Sequence, residues 1–266
     1  MKKKKRSICY YNILTDKCEN SNYIVLTFDT ETTYEYGFVY GIFQDPLESR
    51  EEKIDFILYN NKKYNATEKL IINAGSEIEI YLNNITSLKD FFSLSDDANL
   101  ENIISVDFSH LDSSNITDLS GLFMGCSNLL NVDFSNFNSS SLITMQSMFY
   151  NCESIESIDL SNFNTSLVID MSYLFDGCEK LQSIYLSNIN TSKVENMAYM
   201  FSECKSLVSL DLSYFDTSSL TNMDDMFNNC KALILLDISN FNLDNITDSQ
   251  NIFAIFSTFD VFKLDK

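Results

Sequence analysis

Tryptophan is absent from the 266 residues, histidine and proline occur once each, and glycine occurs six times. Each shortage excludes something. With His110 as the single imidazole, Ser–His or Cys–His machinery has one candidate base at most. So few glycines, none in a GxxxxGK or GxGxxG run, build no phosphate-cradling loop. No Cys-x-x-Cys pair and no calcium loop of the Asp-x-Asp-x-Asp-Gly type occurs, so the common zinc, redox and calcium spacings are missing. No run of 18 apolar residues exists, which excludes a membrane-spanning helix. Positive charge is scarce: 18 Lys and Arg face 38 Asp and Glu, for a net charge of −20. Nucleic-acid phosphates and anionic membranes require a basic surface. The expectation is a non-enzymatic chain with no cofactor, no metal and no nucleic-acid partner.

What the chain has is a period. Cysteine recurs every 26 residues at Cys126, Cys152, Cys178, Cys204 and Cys230, and phenylalanine at Phe123, Phe149, Phe175, Phe201 and Phe227. Serine does the same at Ser109, Ser135, Ser161, Ser187, Ser213 and Ser239. A fixed period in this range marks a solenoid, in which each position becomes a column.

Within the repeat from Cys152, Ser157-Ile158-Asp159-Leu160-Ser161 alternates polar and apolar, which predicts a short strand with Ile158 and Leu160 inward. Asn164-Thr165-Ser166 has the side chains of a helix N-cap. Val168, Met171, Leu174, Phe175 and Cys178 come next, at offsets 0, 3, 6, 7 and 10, one apolar stripe of a helix at ~100° per residue. The predicted fold class is α/β: a right-handed, leucine-rich-repeat-like solenoid. It has a parallel sheet on one face, short helices on the other, and a small N-terminal β cap.

The motif D-L-S-N-F-N-T-S-x-V-x-x-M-x-x-M/L-F-x-x-C, here at Asp159–Cys178, resembles the BspA-like leucine-rich repeat surface proteins, the bacterial surface-protein family of 26-residue repeats. The resemblance covers about residues 78–266. It implies a role in adhesion or host and cell contact, and a cell-surface or secreted location.

Along the chain, residues 1–19 read as a weakly ordered tail that opens on the basic run Lys2 to Arg6. The segment 7–16 is too short and polar for a signal-peptide core, which leaves a cytoplasmic location as the alternative. Residues 20–77 read as a β-rich capping domain, with strands at 23–28, 34–43, 54–59, 62–64 and 70–73, and a further strand at 78–82 opens the next segment. The solenoid spans 78–266: a degenerate first repeat 78–106 with an insertion at 96–99, then 107–132, 133–158, 159–184, 185–210 and 211–236. A terminal unit, 237–266, ends in a strand at 261–265.

Two polar columns line the outward strand face: the serines above, and Asp107, Asp133, Asp159, Tyr185, Asp211 and Asp237. Carboxylates stacked about 5 Å apart repel by roughly 0.8 kcal/mol in water. The column therefore offers a face for a cationic ligand or for calcium, or simply a solvated acidic face. It supplies the candidate ligand-binding residues; there are no catalytic candidates. The cysteines fall on the apolar stripe and read as core-filling thiols, like the phenylalanines. The function expected is binding of a protein or glycan partner of unknown identity, with an intracellular scaffold for protein–protein interaction as the alternative.

Overall fold

The computed structural model describes residues 22–28, 32–34, 54–60, 62–64, 70–82, 85–93 and 102–247. The tail 1–19, the insertion at 96–99, the strand at 34–43 beyond Tyr34 and the strand at 261–265 lie outside the described residues.

Twelve strands are present among the described residues. β1 (Tyr23–Phe28), β2 (Thr32–Tyr34), β3 (Ile54–Tyr59), β4 (Lys62–Tyr64), β5 (Leu70–Ile72) and β6 (Glu77–Leu82) precede the repeats. β7 (Ile103–Asp107) opens them, and β8 (Asn131–Asp133), β9 (Ser157–Asp159), β10 (Ser183–Tyr185), β11 (Ser209–Asp211) and β12 (Leu235–Asp237) continue them. The largest sheet runs β4-β3-β6-β1-β7-β8. In it β1 pairs antiparallel with β6 and β7, while β7 pairs parallel with β8, so the N-terminal strands and the repeats share one ladder. His110 is absorbed here: its ring stacks on Tyr23 at 4.5 Å.

The expected continuous parallel sheet is corrected. β9 pairs with β10 and β11 with β12, each as a separate two-stranded ladder, while β8–β9 and β10–β11 are not paired. The central side chain registers this alternation. Val106, Ile158 and Leu210 are buried, whereas Val132, Ile184 and Leu236 are only partly covered.

The expected helices are also corrected: none occurs among the described residues. The apolar stripe is real, since Leu142, Met145, Met148, Phe149 and Cys152 are all buried, but the backbone that carries it is a chain of turns. A helix would send each N–H to the carbonyl four residues back. Here Ser147, Phe149 and Asn151 donate to Ser172, Leu174 and Asp176 of the next repeat, at 2.9, 3.0 and 2.7 Å. The N–H groups between and after them, of Met148, Tyr150 and Cys152, donate to the carbonyl three residues back and close four-residue turns. Left-handed residues recur every fourth position, at Ser147 and Asn151 and again at Tyr173 and Gly177. Single bridges Ser87–Asp118–Thr144–Asp170–Asn196–Asn222 continue the same stack.

The physical reason is spacing. Packed helices sit 8–10 Å apart, but stacked strands sit about 4.8 Å apart. Turns keep both sides at strand spacing and satisfy half of the N–H groups across repeats. The Thr165 slot behaves the same way. Instead of capping a helix, its hydroxyl accepts the Asn190 N–H at 2.8 Å and donates to the Asn190 carbonyl at 2.9 Å.

Inside, the phenylalanines form a ring ladder with centroids 5.4 to 5.9 Å apart from Phe123 through Phe149, Phe175 and Phe201 to Phe227. Each column cysteine is a free, buried thiol. Its Sγ donates to a phenylalanine carbonyl one repeat earlier, as from Cys152 to Phe123 and Cys178 to Phe149, both 3.2 Å. Burial pushes the Cys126 thiol up to about 12 and holds Cys152 well above its usual range.

Candidate partner-binding face

The outward column sits at the C-terminal ends of β7 to β12. Asp107, Asp133, Asp159, Asp211 and Asp237 each accept, through Oδ1, the N–H of the serine two residues on, at 2.7 to 3.0 Å. These are Asx turns that close the strand end. The serine column is therefore the partner of the aspartate column, and the column's first role is local. The same device recurs at two other corners, for example Asn164 with Ser166 and Asp170 with Ser172. This is why the repeats are rich in Asp, Asn and Ser. The structure brings the aspartates into one row, but each keeps its own turn. Among the described residues no group of acidic, histidine or cysteine side chains is placed to hold a metal.

Tyr185 interrupts the row. It has no carboxylate for the Ser187 N–H, and its side chain stands 57% exposed. A second tie changes at the same place. In the slot just past the aspartate–serine turn, Asn136, Asn188 and Asn240 donate through Nδ2 to the carbonyls of Ser109, Ser161 and Ser213 in the preceding repeat. These ties span the paired junctions β7–β8, β9–β10 and β11–β12. The unpaired junction β10–β11 has Tyr214 in that slot, 70% exposed.

With ladder and tie both missing, a hollow of about 320 Å³ opens between β10 and β11. Ile184, Leu186, Leu210 and Phe215 make its apolar lining, Tyr185 and Tyr214 flank it, and the Asp211 carboxylate stands at its edge. Nearby slots of the same side carry exposed Val208, Ile234 and Leu235, and one slot of the first full repeat carries exposed Leu130, while the repeats between hold Gln182, Glu156 and serines. Sequence reasoning reached Tyr185, as the break in the aspartate column. It passed over Tyr214, whose signal was the same kind: an aromatic in a slot otherwise held by Asn or His.

A second aromatic group lies on the turn side. Tyr173 and Tyr199, both with left-handed backbones, stack at 4.7 Å. Tyr199 hydrogen-bonds Asp225, and this bond with burial and nearby acids raises its pKa; burial first, then nearby acids, raises that of Tyr173. The Tyr199 hydroxyl is thus already engaged within the stack.

Compared with known proteins, the chain matches one family model, described as Mycoplasma protein of unknown function, DUF285, over residues 86–185 and again over 152–262. No curated protein and no solved structure matches.

Proposed function

Given that the chain belongs to the DUF285 family of Mycoplasma proteins of unknown function, we propose that it is a non-catalytic repeat protein that binds another protein through the outward strand side. The observation that carries this reading is the cluster of exposed Tyr185, Val208, Tyr214, Ile234 and Leu235 beside a row of carboxylates. Large exposed apolar side chains grouped on one side, rimmed by charge, are the mark of an interaction surface. The resemblance of the repeat motif to BspA-like surface proteins supports adhesion as the setting.

The test must separate the turn-closing role of the aspartates from binding. Asparagine does so, because its Oδ1 still accepts the serine N–H while the charge is gone. Labelled wild-type protein and the Asp133→Asn/Asp159→Asn/Asp211→Asn variant are probed against protein and glycan arrays. Ile143→Ser/Ile169→Ser, exposed on the turn side, serves as the control. Binding of the wild type and control to protein spots, weakened about ten-fold or more in the triple variant, is the expected pattern for buried interfacial charges. Equal binding by all three proteins, or binding confined to glycans, overturns the reading.

A further inference from the structure

We infer that the hollow between β10 and β11 is a receptor for an arginine side chain of an extended, basic partner segment. This rests on the strand side being the binding surface. Four features converge on that occupant. The Tyr185 and Tyr214 rings stand free of ring contacts among the described residues, with faces available to a cation. The apolar lining of Ile184, Leu186, Leu210 and Phe215 suits the methylene stem of a long basic side chain. Asp211 offers a carboxylate at the edge, with Asp159 and Asp237 in the same row, and no lysine or arginine lines the hollow. The net charge of −20 draws a cationic segment to the surface.

The choice of arginine over lysine rests on shape. A guanidinium is planar, stacks on a tyrosine face and meets a carboxylate with two parallel N–H bonds, while an ammonium is a compact, strongly hydrated point charge. The size agrees: a hollow near 320 Å³ is at the small end of ligand pockets, room for a side chain rather than a large cofactor. Other junctions lack this combination. The junction β8–β9 is likewise unpaired, but there the aspartate row is unbroken and the slot of Tyr214 holds Asn162.

The full chain is titrated with labelled, blocked six-residue peptides of alternating arginine and alanine, and with the lysine analogue of equal charge. The arginine peptide binds roughly ten-fold more tightly. Tyr185→Ser/Tyr214→Ser leaves the net charge unchanged; it removes that preference while the lysine peptide's affinity holds. Tyr185→Leu/Tyr214→Leu, which keeps apolar area without an aromatic face, also removes it. Asp211→Asn weakens the arginine peptide more than Asp133→Asn, which deletes the same charge farther along the row. Since the chain has no tryptophan, Tyr214→Trp places a unique fluorophore at the rim, and its emission responds to the arginine peptide but not to cellohexaose. Equal affinity for the two peptides, a preference that survives loss of both rings, or an emission change driven by the oligosaccharide overturns the proposal. The array experiment reads the whole side and the arginine-to-lysine ratio reads the hollow alone, so either can fail while the other stands.

Discussion

Asp176 shows how one residue feels the stack. Burial is the main cause that lifts its carboxyl to about 6, with repulsion from Glu203 adding and a hydrogen bond from Ser202 opposing. A carboxyl whose folded pKa lies above its unfolded one binds more protons in the native state between the two values. Its favourable contribution is complete below about pH 4 and is lost as pH rises through about 6. Asp176→Asn carries no such charge. In urea titrations, the variant's advantage over wild type therefore grows from about pH 4 to about pH 6 and is level above. A difference that is constant across this window would mean that the carboxyl titrates as if in water. The cysteines show the same environment without a titration in range. Each fills a core slot and gives its weak donor to a phenylalanine carbonyl, which is why a small polar-capable thiol occurs there rather than alanine.

At the scale of the element, the turn strip depends on left-handed residues placed four apart. Gly177 has φ +76°, and a Cβ there would collide with the Asn151 side chain and come 3.2 Å from its Cα. Gly177→Ala should lower stability by about 1–3 kcal/mol, from backbone strain and the clash together. Asn151→Gly, in the same slot one repeat earlier at φ 57°, should change it by only about 0.5 kcal/mol. Combined, the two should recover part of the loss, because removing the Asn151 side chain frees the space. Paired urea midpoints decide this, and a harmless Gly177→Ala would remove the left-handed requirement. The short strands were legible in the sequence: Ser157-Ile158-Asp159 alternates plainly, and 23–28 and 54–59 are β-branched and aromatic. The turn strip was read as a helix because apolar offsets of three and four suit a four-residue turn repeat as well as a helix. The better signal was the slot Gly125, Asn151, Gly177, Glu203, Asn229, in which four of five residues are Gly or Asn, types that tolerate a left-handed backbone.

At the scale of the molecule, order is nearly one-dimensional. Each repeat bonds mainly to its neighbours, so register across the columns matters more than repeat number. Deleting residues 159–184, one whole period, keeps Phe, Cys and Asx columns aligned and should leave a folded, cooperatively melting protein. Deleting residues 159–171, half a period, sets polar slots against the phenylalanine ladder and should abolish the cooperative transition. Thermal melts of both deletions are the check; similar melts for the two would show that column register does not govern stability.

By itself the sequence determined the period, the inward columns of Phe, Met and Cys, the outward row Asp107, Asp133, Asp159, Asp211 and Asp237, and the exception at Tyr185. These are local facts repeated in register, and hydrophobic periodicity reports them directly. Three matters were decided only by tertiary structure. The strip opposite the strands became turns, because neighbouring repeats at strand spacing compete for the N–H groups that a helix would keep. The parallel ladder formed in pairs, because hydrogen bonds across a junction depend on both repeats at once. The hollow beside Tyr185 and Tyr214 exists because one unpaired junction coincides with the two tyrosines, which are 29 positions apart in the chain (214 − 185). No window of a single repeat contains that coincidence.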